Sequence, residues 1–199
     1  MKIVVGIPNM GSIHVGTTGA LLQLVTSYKD IEFSPYMISS SLVYDARNQI
    51  LDYANKVNAD YLLFIDSDII FPPAALKALL DQNKGIISGI YWSRSEQIRK
   101  PIIYQKIRPR TLFRKIPEID HVSGMVQGCI EIAACGMGFC LIRKDVIRKM
   151  IKHYISPFEP FKGMGEDISF CYRLGRLNEK IYALDCGLEH VGDKRYKGA

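Results

Sequence analysis

Apolar residues recur along this chain in two alternating rhythms. Residues 2–7 (KIVVGI) are a short apolar run that stops at Pro8, the pattern of a strand. Over 15–28 the apolar positions Leu21, Leu22, Leu24 and Val25 return at helical spacing, and 31–38 is strand-like again. Ser41 stands where a cap would, ahead of a helix running to Val57 with Val43, Ala46, Ile50, Leu51, Ala54 and Val57 on one face. The run YLLFI at 61–65 is continuously apolar, as in strands buried on both faces of a parallel sheet. Pro72 and Pro73 open a helix over 74–80, where early prolines are tolerated because the first amides are unpaired anyway. Residues 86–92 give a fourth strand. Strand alternating with helix predicts a doubly wound α/β sheet.

The second half is less regular. Residues 102–107 and 111–116 read as a basic hairpin with Pro109 near its turn, and 122–142 as strands around the Gly136–Gly138 turn. A helix over 144–153, a loop with Pro157 and Pro160, a helix over 168–177 and a strand over 181–184 complete the chain. With no repeat and no convincing linker, residues 1–199 are expected to form one domain.

Composition narrows the function classes. Hydrophobic residues at 48% and charged residues at 23% exclude a disordered tail, a collagen-like repeat and a coiled coil. No apolar run reaches the roughly 18–20 residues of a membrane span. The opening MKIVVGIPNMG is too short in its apolar part for a signal-peptide core. Five cysteines, odd in number and without a C-x-x-C pair, mostly sit in apolar surroundings. They read as reduced core thiols, so a cytoplasmic setting is expected. The net charge of +6 is uneven: residues 94–115 carry eight basic side chains against Glu96 alone, so the rest of the chain sums to −1. Such a segment suits an anionic partner (phosphate, an acidic membrane surface or nucleic acid) or is a solvated hairpin. Tyr91, Trp92, Tyr104 and Phe113 make no recognised stacking motif, which disfavours nucleic acid.

Chemistry concentrates at a few places. Asp66-Ser67-Asp68 follows directly on the buried strand 61–65, and ligands of open α/β sheets bind at the carboxyl ends of strands. Two carboxylates so spaced can converge on Mg²⁺ or Mn²⁺, leaving positions for phosphate oxygens. An Asx-turn with a helix cap before Pro72 is the plainer role for such a pair, but their place at a buried strand end favours the metal. Glu166 and Asp167 open the last helix, where acids complement the dipole, or where one can act as a base beside an acceptor hydroxyl. Gly136 and Gly138 permit close backbone approach or a tight turn. Arg47 on the second helix is a candidate phosphate contact or a solvated residue, and His190 a surface residue or a ligand. Gly6 and Gly11 have phosphate-loop spacing, but Ser12-Ile13 replaces the Lys-Ser/Thr that loop requires, so the ATPase reading fails.

In order and spacing, VVGIPN, DARNQILDYA, LLFIDSDIIFPP, GIYWSR, ACGMGFCLIRKDV, GEDISFCYRL and LEHVG resemble a small GT-A-fold glycosyltransferase of the family 2-like kind, across almost the whole chain. The compact size also resembles minimal glycosyltransferases encoded by viruses. The resemblance implies a GT-A fold: a mostly parallel sheet flanked by helices with a small β-rich acceptor part, residues 1–95 forming the nucleotide half and 96–199 the acceptor and catalytic half. It implies hexosyl-type transfer from a nucleotide-diphosphate sugar to a glycan, glycoprotein or lipid-linked acceptor, in the cytoplasm (the host's for a viral member) or peripherally at a membrane. Asp66, Asp68 and His190 would hold Mn²⁺ or Mg²⁺, with Ser67 between the two acids. Ile7, Pro8, Asn9 and Arg47 would line the nucleotide pocket, and Gly136 and Gly138 would shape the cleft. Tyr91, Trp92 and Arg94 would bound the sugar or acceptor, and Asp167, beside Glu166, would be the base. A catalytically silent nucleotide- or anion-binding protein on this fold is the alternative from another class. A sugar nucleotidyltransferase would need an Arg-containing loop after the first strand, which IPNMGSIHVG lacks.

Overall fold

The computed structural model describes residues 1–94, 100–108 and 127–191, and the backbone of 118–121 and 195–196. β1 (Lys2–Asn9), α1 (Val15–Ser27), β2 (Glu32–Ser39), α2 (Val43–Lys56), β3 (Tyr61–Ile65), β4 (Ile69–Ile70), α3 (Ala74–Asp81) and β5 (Ile86–Gly89) make up the first half. β6 (Ile103–Arg108), β7 (Glu118–His121), β8 (Ile130–Ile132), β9 (Ala134–Cys135), β10 (Phe139–Arg143), α4 (Lys144–His153), α5 (Glu166–Arg176), β11 (Ile181–Leu184), β12 (Glu189–Val191) and β13 (Arg195–Tyr196) follow. Seven strands form a central sheet in the order β2-β1-β3-β10-β5-β11-β8. β1 runs parallel to β2 and β3, and β11 parallel to β5. β10 and β8 run against their neighbours.

Side-chain alternation along the strands divides the core in two. Val4, Leu62, Phe64, Cys140 and Ile142 face α2, α4 and α5, whose Ile50, Leu51, Val146, Met150, Phe170 and Leu174 cover them. Ile3, Val5, Ile7, Leu63, Ile65, Phe139 and Leu141 face the opposite way, onto Leu24 of α1 and Leu76 and Leu79 of α3. Strands 3 and 10 must therefore be apolar on both faces, which explains the unbroken run 61–65.

Several expectations shift. Strand 61–65 is buried as its sequence predicts, but one of its two neighbours is the antiparallel β10. Ser41 does not cap α2; the N-cap is Leu42, and Ser40 Oγ accepts the Leu42 N–H at 3.1 Å. The strand over 86–92 leaves the central ladder after Gly89, because Tyr91 and Trp92 turn to meet Ile102 and Pro101. The last helix begins at Glu166, two residues early, with Gly165 as its N-cap. Pro109 and the strand over 111–116 lie outside the described residues; among the described ones β6 pairs with β7 and with β9. The short strands β4, β12 and β13 form a separate sheet that no periodicity announces. Among the described residues no helix is long and apolar enough to cross a membrane.

Candidate active site

The turn after β3 is held by backbone bonds from three directions. Asp66 N–H donates to Gly138 O at 2.9 Å, His14 N–H at the head of α1 donates to Ser67 O at 2.8 Å, and Val191 N–H of β12 donates to Asp68 O at 2.8 Å. In the β4–β12 pairing His190 lies opposite Ile69, which brings its ring beside Asp68. His190 Nε2 is 3.6 Å from Asp68 Oδ1. The other ring nitrogen, Nδ1, is 2.8 Å from Trp92 O. A carbonyl can only accept, so Nδ1 carries the proton and Nε2 presents a lone pair toward Asp68. Arg94 bridges His190 and Asp68: its Nε donates to His190 Nε2 at 3.0 Å and its Nη2 pairs with Asp68 Oδ2. Burial lowers the His190 pKa, the Arg94 charge adds to the effect, and the Trp92 carbonyl opposes it. The ring is therefore neutral at pH 7.

A second group of charges lies on the other side of Asp66. Arg47, on α2, is only 3% exposed. Its Nη2 donates to Asp66 Oδ1 at 2.8 Å, and its Nε lies 3.8 Å from Glu166 Oε1. The guanidinium also stands over the Phe64 ring, 5.4 Å from its centre. Burial disfavours the Arg47 charge, but the two carboxylates outweigh it and raise the pKa above its ordinary value. Arg47 is thus neither solvated nor free: its sequence position, beside the apolar stripe of α2, points it inward at the acids. Among the described residues its Nε and Nη1 have no hydrogen-bond partner.

Asp167 follows Glu166 in the first turn of α5, where its Oδ1 accepts the Ile168 N–H at 2.7 Å. Burial, then the Glu166 charge, push its pKa up to about 7, while that amide and Arg47 pull the other way. Burial followed by the Asp167 charge likewise pushes the Tyr104 hydroxyl up to about 12.

Tyr91 is the common wall of these groups. It is 5% exposed, and its hydroxyl accepts the Gly138 N–H at 3.1 Å. A Cβ on Gly136 would stand 2.1 Å from the Tyr91 hydroxyl, and one on Gly138 2.7 Å from its Cζ. The two glycines therefore give their space to the Tyr91 ring and back the site through it. Tyr91 itself is packed rather than open to a ligand, because the Gly136–Gly138 turn ahead of β10 lies against it. At the end of β1, Ile7 and Pro8 are buried, and Asn9 Oδ1 closes a turn by accepting the Gly11 N–H at 2.9 Å.

The structure thus gathers Asp66, Asp68, His190, Trp92 and Arg94 around one turn, and joins Glu166 and Asp167 to it through Arg47. Ser67 contributes its backbone carbonyl. Of the basic segment, Lys100, Lys106 and Arg108 are exposed, and Arg99, Arg110, Arg114 and Lys115 lie outside the described residues. Sequence reasoning passed over Tyr104 as a neighbour of Asp167; nothing in its local pattern marks it, since the proximity comes from β6 pairing with β9 beside α5. Among the described residues no three His, Cys, Asp or Glu side chains form a metal-holding group by themselves. All five cysteines are free, with Cys135, Cys140 and Cys171 buried.

No protein-family model matches the chain, and no curated protein sequence matches it. Its fold does match solved structures. A197 from STIV aligns with a TM-score of 0.66 over 99% of this chain and 89% of that one, at 21% identity. A glycosyltransferase involved in the glycosylation of the major capsid of PBCV-1 aligns with a TM-score of 0.50 over 93% and 82%, at 13% identity. Likeness at such identities speaks for fold alone. The chain has an α/β fold, a seven-stranded and mostly parallel sheet flanked by helices, similar to that of a glycosyltransferase.

Proposed function

We propose that the protein is a metal-dependent glycosyltransferase, moving a sugar from a nucleotide-diphosphate donor to an acceptor hydroxyl. The observation that carries this reading is the Arg47 bridge. One buried guanidinium, bonded to Asp66 at 2.8 Å and 3.8 Å from Glu166, links the acidic turn at the end of β3 to the acids at the head of α5. The acids assigned here to the donor and the one assigned to the acceptor proton are thereby tied to one another beyond the carboxyl end of β3.

The donor set supports a divalent cation. Asp68 is a hard oxygen ligand, and the His190 lone pair beside it is fixed by the Trp92 carbonyl, the kind of outer bond that orients ligating imidazoles. Asp66, held by Arg47 through Oδ1, would add its second oxygen once the ion and the diphosphate are bound. Asp68 and His190 give two neighbouring protein donors, and oxygens of the diphosphate would complete the shell of Mg²⁺ or Mn²⁺, an open site rather than a closed structural one. Such an ion, when bound, would supply positive charge to the diphosphate as it leaves.

The chain's own groups then have separable tasks. Asp167, with its pKa raised to about 7, is poised to take the acceptor proton as the acceptor oxygen bonds to C1 of the sugar. The C1–O bond to the diphosphate breaks, and its electron pair departs with the nucleoside diphosphate. Arg47 holds Asp66 and lies beside Glu166, which leaves Asp167 as the acid free to take the proton. Ile7, Pro8 and Asn9 wall the nucleotide side, and Trp92 and Tyr104 the sugar and acceptor side. The acceptor is a glycan, a glycoprotein or a lipid-linked sugar, and exposed Lys100, Lys106 and Arg108 offer an anionic one a landing surface.

Calorimetric titration of UDP, GDP and their sugar conjugates, with Mn²⁺ and with EDTA, tests the reading. Metal-dependent binding of one nucleotide, followed by release of its diphosphate on adding acceptors, is the expected result. Binding that is indifferent to EDTA, with no turnover, would favour a silent binding protein on this fold.

A further inference from the structure

Arg94 lies between Asp68 and His190. Its Nε–H enters the His190 Nε2 lone pair at 3.0 Å, and its Nη2 pairs with Asp68 Oδ2. We propose that Arg94 is a resident counter-cation of the Asp68–His190 pair, displaced when a divalent ion arrives together with the nucleotide diphosphate. The inference rests on the metal-dependent reading above and adds an order of events to it.

Arg94 and a metal ion exclude each other at this pair. With Nδ1 committed to Trp92 O, the neutral His190 ring has a single lone pair, at Nε2. That pair can accept the Arg94 N–H or bind an ion, and it cannot do both. Asp68 faces the same choice at Oδ2. The side chain that must move is suited to moving: Arg94 is 51% exposed, so its departure uncovers little, whereas Arg47, the other cation of the site, is 4% exposed and fixed. Charge explains why something must sit beside Asp68. Asp66 has Arg47 as its counter-ion, while Asp68 has only a neutral imidazole and Arg94 among its described neighbours.

The displaced guanidinium also has a destination. A planar fork with several N–H donors matches phosphate oxygens, and a diphosphate brought to Asp68 arrives within reach of Arg94. One residue thus weakens binding of a free ion and strengthens binding of the ion and diphosphate together. The site would fill with the donor complex in preference to metal alone.

The test uses the full chain and its Arg94→Gln variant, with Mn²⁺ alone as the probe, read by calorimetry and by the electron-spin signal of free Mn²⁺. Arg94→Gln is expected to bind Mn²⁺ about tenfold more tightly than the unsubstituted protein, the scale of one partly exposed charge-assisted contact. Asp68→Asn in the same background should remove that gain, which locates the ion. With saturating Mn²⁺, Arg94→Gln should also bind UDP or GDP more weakly. Because Arg94 is a surface side chain, equal thermal midpoints for the two proteins establish that folding is not the variable. Equal or weaker Mn²⁺ binding by Arg94→Gln, with nucleotide-dependent metal binding intact, overturns the Arg94 proposal alone. Absence of Mn²⁺ binding by either protein, even with saturating UDP or GDP, overturns this proposal and the metal-dependent function together.

Discussion

Arg47 Nη2 and Asp66 Oδ1 are 2.8 Å apart, the first on a helix and the second on the turn that ends the neighbouring strand. The pair sets the character of the site, because Arg47 is almost closed to solvent while Asp66 stays about a quarter exposed. The carboxylate is anchored through one oxygen and still reaches solvent. Removing the anchor leaves two partly buried acids, Asp66 and Glu166, facing each other without compensation.

Arg47→Met is accordingly expected to lower stability by about 2 kcal/mol, less than a fully buried pair would cost because both acids reach water. Arg47→Lys should recover part of the loss. Urea midpoints at constant m-value measure both, and a neutral result for Arg47→Met would remove the bridge from the account.

Asp167 gives a pH signature in stability. Its folded pKa of about 7 lies above the ordinary 3.8, so the folded state holds the proton more tightly than the unfolded chain does. The stability it contributes is complete below about 4 and is lost as pH rises toward 7. Asp167→Asn should flatten the stability profile in that window and make the protein relatively more stable at pH 8. Unchanged curvature between wild type and variant would place the raised group elsewhere.

The same residue should govern rate. Transfer should rise with pH to a plateau above an apparent pKa near 7, as the Asp167 carboxylate forms. Asp167→Asn should slow transfer by about 10²–10⁴-fold while donor affinity stays nearly unchanged. A loss of donor affinity instead would make Asp167 a binding residue.

Asp68→Asn is expected to leave the fold intact, since its backbone bond to Val191 needs no side chain. Donor affinity measured with Mn²⁺ should fall to the value measured in EDTA, and turnover should vanish. Full activity in this variant excludes Asp68 from the metal site.

Gly138→Ala should destabilise by about 1–3 kcal/mol through overpacking, because the new methyl meets the Tyr91 ring at 2.7 Å. Tyr91→Phe leaves the Gly138 N–H without its partner and should cost about 1 kcal/mol or more. In the double variant Gly138→Ala/Tyr91→Ala the overpacking cost should disappear, which a thermodynamic cycle reads directly.

Much of this was legible beforehand where local pattern carries it. The run 61–65 ends in Asp66, and an acid directly after a doubly buried strand has few places to point except the sheet's carboxyl edge. The start of α3 follows from Pro72-Pro73 for equally local reasons. The direction of β10 was not legible, because a strand apolar on both faces looks the same whether its neighbours run with it or against it. Arg47 read as ambiguous for a different reason: its partners Asp66 and Glu166 are remote in sequence, and nothing at position 47 announces them. Arg94 read as one charge of a basic stretch and, by resemblance, as a wall of the sugar or acceptor pocket; only the three-dimensional meeting of β12 with β4 gives it Asp68 and His190 as partners. Two-residue strands such as β4 carry too few positions for any rhythm.

The place of β10 between β3 and β5 also bears on how the chain reaches this state. Until residues 139–143 have been made, strands 61–65 and 86–89 each lack a central neighbour and offer an open, apolar edge. Pairings this distant in sequence slow folding, and unpaired edges invite association between chains. A nascent or truncated chain that stops after β5 should therefore be the most aggregation-prone length, and should need shielding on the ribosome. The part of the molecule bearing Asp66 and Asp68 depends for its solubility on a strand supplied by the part bearing Asp167, so the two would be inherited, expressed and lost as a unit.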